Sequence, residues 1–167
     1  YIKEHSSERA MSEATAYILT DMLISTAPSA LLNYSNGNGW KFAAKTGTSN
    51  FTEETKKANG LADNAINDLW VAAYNDEYTI SVWYGYDKIY KDTYTRFGST
   101  EHMKLFNQVA KSVWSRSIKT KKPDDVVEVT IETGLSTLKL PSAYTPVSSM
   151  ATELFRKGSE PTETSTR

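Results

Sequence analysis

The chain has 167 residues, of which 39% are apolar, and a formal net charge of -1. These values describe one globular unit or part of one, and the near-neutral charge excludes the basic field that binding to nucleic acid requires. No apolar run has the length of a membrane span. The absence of Cys excludes disulfide bonds and thiolate metal sites. The chain begins at Tyr1 without Met or a signal-like segment, so we expect it to be a piece of a longer protein.

Apolar periodicity and turn residues predict a helix, a turn and a strand in the first third of the chain. The helix covers residues 12–26. Ser12 can cap its beginning, and Pro28 prevents it from continuing. A turn segment over 33–39 then leads into a strand over 40–48. The two histidines, His5 and His102, lack partners at ligand spacing. We expect both to be surface residues, and we assign no metal and no cofactor.

The next elements are a polar loop over 49–67 and two strands, 68–74 and 78–86, which a three-residue turn joins as a hairpin. In the loop, acidic and basic side chains are mixed, which is typical of a solvated face. A second helix over 99–119, a strand over 126–131 and a tail that frays from Gly158 complete the prediction. The fold class expected from this order is α/β (α+β), with an antiparallel sheet flanked by helices.

The strand over 40–48 ends with Lys45-Thr46-Gly47-Thr48. Lys-Thr-Gly on a strand is a signature of serine acyl-transferases, in which Ser-x-x-Lys and Ser-x-Asn accompany it. Gly47 interrupts the strand where a ligand backbone could approach closely. Taken alone the motif is weak, because a lysine that guards an edge strand has the same appearance.

Several stretches together resemble the C-terminal part of a class A (bifunctional) penicillin-binding protein. They are residues 15–23, 43–50, 68–74, 81–87 and 155–162. The chain departs from the family at Ala44 and Ala73, where Gly is usual, and at Ala27-Pro28-Ser29, which replaces a Gly-Thr-Gly turn. The resemblance implies the fold shared by penicillin-binding transpeptidases and serine β-lactamases, of which this chain holds only the C-terminal part. Residues 1–122 would belong to the transpeptidase domain and residues 123–167 to a C-terminal extension.

The resemblance implies a D,D-transpeptidase that cross-links peptidoglycan stem peptides through a serine acyl-enzyme and that β-lactams inhibit. Lys45 and Thr48 would be catalytic, and Thr46, Gly47 and Thr48 would bind substrate. The nucleophile would lie before Tyr1, in an N-terminal part of the same protein that carries Ser-x-x-Lys and Ser-x-Asn. That part would also hold a glycosyltransferase domain and the only membrane anchor, so that this chain lies outside the cytoplasm, on the cell-wall side of the membrane.

The only Ser-x-x-Lys in the chain, Ser136 to Lys139, follows the Lys-Thr-Gly motif, whereas in the family it precedes it. Gly134 and Pro141 leave too little room for the buried helix that such a nucleophile needs, so we predict that Ser136 is not catalytic. A non-catalytic module that senses β-lactams or binds the cell wall remains an alternative. A β-lactamase is a weaker one, since those enzymes end soon after one hairpin and a helix.

Overall fold

The computed structural model describes residues 8–31 and 39–166. The helices and strands in chain order are α1 (Glu13–Ala30), β1 (Ala43–Asn50), α2 (Glu53–Asn59), β2 (Ala65–Tyr74), β3 (Thr79–Gly85), β4 (Thr95–Arg96), α3 (Glu101–Val113), β5 (Val126–Glu132) and β6 (Met150–Arg156). They confirm the mixed class with antiparallel sheets. Across these two ranges, no helix is both long and apolar enough to cross a bilayer.

Contacts within the chain group it into two compact units. The larger unit is Asp21–Lys119, and the smaller one combines the described residues up to 20 with those from 120 onward. This grouping by contacts is a different property from the predicted division between a transpeptidase domain and an extension. The boundary after residue 122 therefore stays a prediction.

The larger unit is built on an antiparallel sheet in the order β1–β2–β3, and β4 pairs with the beginning of β2. In the β1–β2 ladder Ala44 lies opposite Ala73 and Gly47 lies opposite Trp70. Because successive side chains on a strand point to opposite faces, these two pairs lie on opposite faces of the sheet. The predicted hairpin of β2 and β3 is confirmed.

One face of this sheet carries the hydrophobic core. The buried members are Ala27, Leu31, Phe42, Ala44, Val71, Ala73, Ile80, Val82, Met103, Phe106, Ala110 and Trp114. Three aromatic rings lie among them, and the centroid of Phe42 is 5.6 Å from that of Phe106 and 4.9 Å from that of Trp114. Tilted rings at such distances are attractive, and burying one large apolar side chain contributes about 1.5–3 kcal/mol.

The first helix begins as predicted and ends later than predicted. Ser12 caps it, because its hydroxyl accepts a hydrogen bond from the backbone N–H of Thr15 at 3.2 Å. Pro28, expected to end the helix, lies inside α1. Ala27 and Leu31 are buried in the core, and the N–H of Leu31 donates to the carbonyl of Ala27 at 3.1 Å. Packing of this last turn offsets the hydrogen bond that proline cannot make.

The segment that leads into β1 also differs from its prediction. The turn predicted over 33–39 lies outside the described residues except for Gly39, whose φ of 69° is left-handed. The strand expected from residue 40 begins at Ala43. Before that point the backbone of Lys41 bonds to a different partner, accepting from the N–H of Ile118 at 2.8 Å and donating to the hydroxyl of Ser117 at 2.9 Å.

The stretch predicted as a loop over 49–67 contains the end of β1, the helix α2 and the start of β2. Thr52 caps α2 by accepting from the N–H of Thr55 at 3.1 Å, and Gly60, with φ 62°, forms its left-handed C-cap. Glu53 and Glu54 are exposed, in agreement with the predicted solvated face. Both capping residues were present in the sequence, but seven helical residues are too few for an apolar period to show.

The helix α3 is shorter than the predicted 99–119. It ends where Trp114 takes an extended conformation, and burial of this side chain in the aromatic cluster explains the end. His102 is only 2% exposed, so the prediction that it is a surface residue is wrong. It lies in the first turn of α3 beside Met103, on the side that faces the core. Burial lowers the pKa of His102, because desolvation disfavours the imidazolium ion. His5 lies outside the described residues.

In the smaller unit β5 and β6 form an antiparallel pair, with a 3-10 turn at Val147–Ser149 just before β6. The predicted strand over 126–131 is therefore confirmed. The prediction that the chain frays from Gly158 is wrong for the described residues, because Leu140 donates to the carbonyl of Glu163 and accepts from the N–H of Ser165, both at 2.8 Å. Backbone pairing to a distant residue orders a tail that has few apolar side chains.

A charged cluster holds the β2–β3 turn against the segment after α3. Arg116 contacts Asp76 at 3.0 Å and Glu77 at 3.3 Å. Glu77 also accepts from the N–H of Ser115 at 2.9 Å and from its hydroxyl at 2.6 Å. These hydrogen bonds from Ser115 are the main reason why the pKa of Glu77 lies below its ordinary value of 4.5.

We predict that Glu77→Gln lowers the melting temperature at pH 7, because an amide offers one acceptor oxygen where two are used. A lowered folded-state pKa stabilises the fold above the unfolded-state pKa, and this stabilisation is lost as the pH falls through the folded-state value. In thermal unfolding, the difference in melting temperature between Glu77→Gln and the parent protein should therefore become smaller as the pH is lowered from 7 to 3. Glu54→Gln, at an exposed position, is the control. An equal difference in melting temperature at pH 7 and pH 3 would contradict the conclusion that the ionised carboxylate of Glu77 stabilises the fold.

Candidate active site

The Lys45 to Thr48 motif lies on a strand with one open edge. β1 pairs with β2 along one side, and among the described strands none pairs with its other side. The backbone N–H and C=O groups on that side are therefore available to an extended ligand, which can add to the sheet as a further strand.

The alternation of side chains divides the motif between the two faces of the sheet. Lys45 and Gly47 lie on the face that carries Trp70, opposite to the core. Thr46 and Thr48 lie on the core side, where Thr46 is half-buried and Thr48 is exposed. All four predicted site residues are thus consecutive on one edge strand, with the charge of Lys45 on its open face.

The ammonium group of Lys45 is held close to its own strand. Its Nζ donates to the carbonyl oxygen of Thr46 at 2.6 Å, and the side chain is exposed. A hydrogen bond to the neighbouring carbonyl keeps the positive charge beside the motif rather than extended into solvent. An anionic group that approached this edge would meet that charge.

Gly47 has no visible role in the fold of the described chain. A Cβ built there would lie 3.5 Å from the Cβ of Trp70, which is ordinary van der Waals contact. Its backbone φ is not in the left-handed region that requires glycine. The absence of a side chain is therefore not explained by packing within the sheet, and it leaves the surface beside Lys45 open.

The prediction from sequence missed Asp68, whose carboxylate links the three main strands. Its Oδ2 accepts from the hydroxyl of Ser49 at 2.7 Å and from the side-chain amide of Asn67 at 2.8 Å. Its Oδ1 accepts from the indole N–H of Trp83 at 2.9 Å. Gly85 lies opposite Asp68 and leaves room for this contact, since a Cβ there would be 2.8 Å from Oδ1. Only the strand register, which the sequence does not reveal, brings Asp68 close to Ser49, Trp83 and Gly85.

The face that carries Lys45 also bears two exposed aromatic side chains. Trp70 and Trp83 are opposite each other in the β2–β3 ladder and are 44% and 41% exposed. The opposite face of the same strands is buried under the core. Among the described residues, the motif therefore borders a partly apolar surface with two exposed indole rings.

The second candidate motif, Ser136 to Lys139, is not helical. The ammonium group of Lys139 is 3.3 Å from the carboxylate of Glu163. A lysine activates the serine of Ser-x-x-Lys when both lie on one helical turn, and that turn is missing. This geometry agrees with the argument against Ser136 as a nucleophile, which stays a prediction. Over the two described ranges, no group of three His, Cys, Asp or Glu side chains is arranged to hold a metal ion.

The chain was compared with known protein families. Residues 2–111, more than half of the chain, match the family described as "Penicillin binding protein transpeptidase domain". The chain belongs to this penicillin-binding protein transpeptidase family. Residues 122–167 match a second family, "Penicillin-binding protein 1A, C-terminal domain". The predicted resemblance to the C-terminal part of a class A penicillin-binding protein is thereby confirmed.

Individual relatives agree with the family. The chain is 34% identical to penicillin-binding protein 1A/1B of Bacillus subtilis over 95% of its own length and 18% of that protein. It is 38% identical to penicillin-binding protein 1A of Streptococcus pneumoniae over 47% of its length and 11% of that protein. The chain thus spans less than a fifth of these relatives.

We predict that Gly85→Ala lowers the free energy of unfolding by about 1–3 kcal/mol, because the new Cβ overlaps with Asp68 and with the Trp83 ring. Gly47→Ala is the matched control on the neighbouring ladder, where the new Cβ makes an ordinary contact. Its effect should stay within about 0.5 kcal/mol. Chemical denaturation of both variants measures the difference. Equal destabilisation of the two would show that the Asp68 contact does not require Gly85.

Proposed function

We propose that this chain forms one wall of the active site of a serine D,D-transpeptidase that cross-links peptidoglycan stem peptides and is inhibited by β-lactams. The observation that carries the proposal is the Lys-Thr-Gly motif on an open strand edge, with Lys45 and Gly47 on the exposed face. Family membership supports the reaction class. The nucleophile and the Ser-x-x-Lys and Ser-x-Asn motifs come from an N-terminal part of the same protein.

The proposed reaction has two steps. The serine oxygen attacks the carbonyl carbon between the two D-Ala residues, the C–N bond breaks, and D-Ala leaves with the serine proton on its amine. An amine of a second stem peptide then attacks the resulting ester, a new amide forms, and the serine oxygen regains a proton. A β-lactam follows only the first step, because its ring opens and its acyl group stays on the serine.

Lys45 has two roles in this proposal. Its charge attracts the terminal carboxylate of the donor peptide, and it favours the deprotonated state of groups around the nucleophile. Its position on the exposed face, next to the carbonyl of Thr46, supports both roles. A fixed charge stabilises a transition state most when water is excluded, and the N-terminal part provides that exclusion.

The other three motif residues position the substrate. The hydroxyls of Thr46 and Thr48 bind the carboxylate from the strand edge, where both side chains keep access to solvent. The backbone N–H of Thr48 is one of the two oxyanion donors, and the N–H of the nucleophile is the other. Gly47 lets the peptide backbone approach, which agrees with the absence of a packing reason for glycine there.

The setting of the reaction follows from its substrate. Peptidoglycan stem peptides lie outside the cytoplasm, so the proposed location is the cell-wall side of the membrane. The anchor and a glycosyltransferase domain belong to the part of the protein beyond this chain, in line with the much greater length of the relatives.

We predict that Lys45→Ala in the full-length protein slows acylation by penicillin by a factor of about 30 to 1,000, since losing a charge aimed at the reacting centre costs about 2–4 kcal/mol. Stopped-flow measurement of acylation checks this, and thermal unfolding should be unchanged because the side chain is exposed. Lys41→Ala, which removes another exposed lysine just before the strand, should acylate normally. Thr48→Val should have a milder defect, because its backbone N–H remains. Normal acylation by Lys45→Ala would overturn the proposed function.

We also predict that the chain by itself forms no stoichiometric covalent adduct with labelled penicillin, since the nucleophile is outside it. Mass spectrometry of the labelled chain measures the adduct. In the full-length protein Ser136→Ala should leave acylation unchanged, and the labelled peptide should come from before Tyr1. A label on Ser136 would contradict the whole assignment of roles.

A further inference from the structure

We propose that Asp68 is a positioning residue for acyl transfer, which fixes the end of the motif strand through the hydroxyl of Ser49. The inference rests on the proposed function, because it concerns the geometry of the oxyanion donor at Thr48. No feature of the Lys-Thr-Gly motif itself points to Asp68. It lies on the neighbouring strand, and its side chain reaches the motif strand only through Ser49.

The carboxylate of Asp68 accepts three hydrogen bonds, from Ser49 on β1, from Asn67 on β2 and from Trp83 on β3. A carboxylate can only accept, so each of the three donors is fixed in direction. Hydrogen bonds to an ionised acceptor are shorter and about twice as strong as neutral ones, and the 2.7 Å distance from Ser49 agrees with this. The group therefore ties the three strands together at one level of the sheet.

That level is where the regular β1–β2 ladder stops. Ser49 pairs with Asp68, but the next residue, Asn50, pairs with Ile66, which leaves Asn67 as an extra residue on β2. A bulge of this kind disrupts the ladder locally and bends the strand. The Ser49 to Asp68 bond thus secures the last regular pair, directly after Thr48.

The position of the Thr48 backbone N–H depends on this last pair. An oxyanion donor acts at about 2.7–3.1 Å from the developing negative charge, and a misplacement of 1 Å can cost about 100-fold in rate. Of the groups proposed to bind the substrate carboxylate, Lys45 and Thr46 lie further back in the regular ladder, and only the Thr48 hydroxyl lies next to the last regular pair, so most of this binding does not depend on the bulge. Loss of the Ser49 to Asp68 bond should slow the chemical step while leaving binding nearly intact.

The test uses the full-length protein and separates chemistry from binding and from stability. Acylation by penicillin is followed at rising concentration, which yields the rate constant at saturation and the apparent dissociation constant. Ser49→Ala should lower the rate constant about tenfold, with the dissociation constant changed less than twofold. Ser49→Thr keeps the hydroxyl and should restore the rate constant. Melting temperatures are measured in parallel, so that a loss of rate is not mistaken for unfolding.

Three further variants show whether the effect passes through Asp68. Asp68→Ala removes the bonds from Ser49, Asn67 and Trp83 and should lower the rate constant at least as much as Ser49→Ala. The double variant should be no slower than Asp68→Ala, since the bond from Ser49 is already lost in that variant. Asn67→Ala is the matched control. Asn67 donates to the same Asp68 oxygen, Oδ2, as Ser49 does, but it lies on β2 and not on the motif strand. Its rate constant should stay within about twofold of the parent.

The outcomes are distinct. A normal rate constant for Ser49→Ala, or an equal loss for Asn67→Ala and Ser49→Ala, overturns the positioning role. If Asp68→Ala fails to fold, the comparison of Ser49→Ala with Ser49→Thr still decides. Lys45→Ala is measured in the same series. Slow acylation by that variant beside normal acylation by Ser49→Ala would overturn only the role of Asp68, whereas normal acylation by Lys45→Ala would overturn the proposed function.

Discussion

The pairing register between β1 and β2 is the constraint on which the rest of the site depends. It puts Ala44 and Val71 on the buried face and Lys45 and Gly47 on the open face. A slip of one residue would turn every side chain of β1 to the opposite face and bury the charge of Lys45, which is costly without a partner. The apolar side chains that stabilise the core therefore also hold the motif lysine outward.

The same register determines the environment of Ala44 and Ala73, the two positions at which the resemblance leads us to expect Gly. They are direct partners in the ladder, and each is 1% exposed. Both methyl groups thus enter the core on the face opposite to Lys45. Side chains at these two positions therefore contribute to the core and not to the open face of the motif. The core and the charged side chain of Lys45 thus occupy opposite sides of the same strands.

The open face of the sheet exposes aromatic side chains and borders an edge that no described strand covers. Trp70 and Trp83 lie half-exposed on the same face as Lys45, and no described strand pairs with the outer edge of β1. In the proposed enzyme a charge and an oxyanion donor need a dry surrounding to be effective. The proposed role of Asp68 fits this arrangement, because its hydrogen bond with Ser49 connects the end of the motif strand to the neighbouring strand.

Features with a local cause could be predicted from the sequence. Alternating apolar residues were sufficient to predict β5, and together with a short turn they were sufficient to predict the β2–β3 hairpin. Ser12 was recognisable as a helix cap. The Lys-Thr-Gly motif, together with the other matching stretches, was sufficient to predict the family. In each case the residues that determine the feature are neighbours in the chain, so their order carries the information.

Features that depend on contacts between distant residues were decided by the tertiary structure. His102 is buried because the first turn of α3 faces the core, and Pro28 stays within α1 because Leu31 packs into that core. The tail is ordered by pairing with Leu140, and Asp68 meets Ser49 and Trp83 only through the register of three strands. A sequence specifies which residues can make such contacts. The free energy of packing and backbone pairing across the whole unit selects which contacts form.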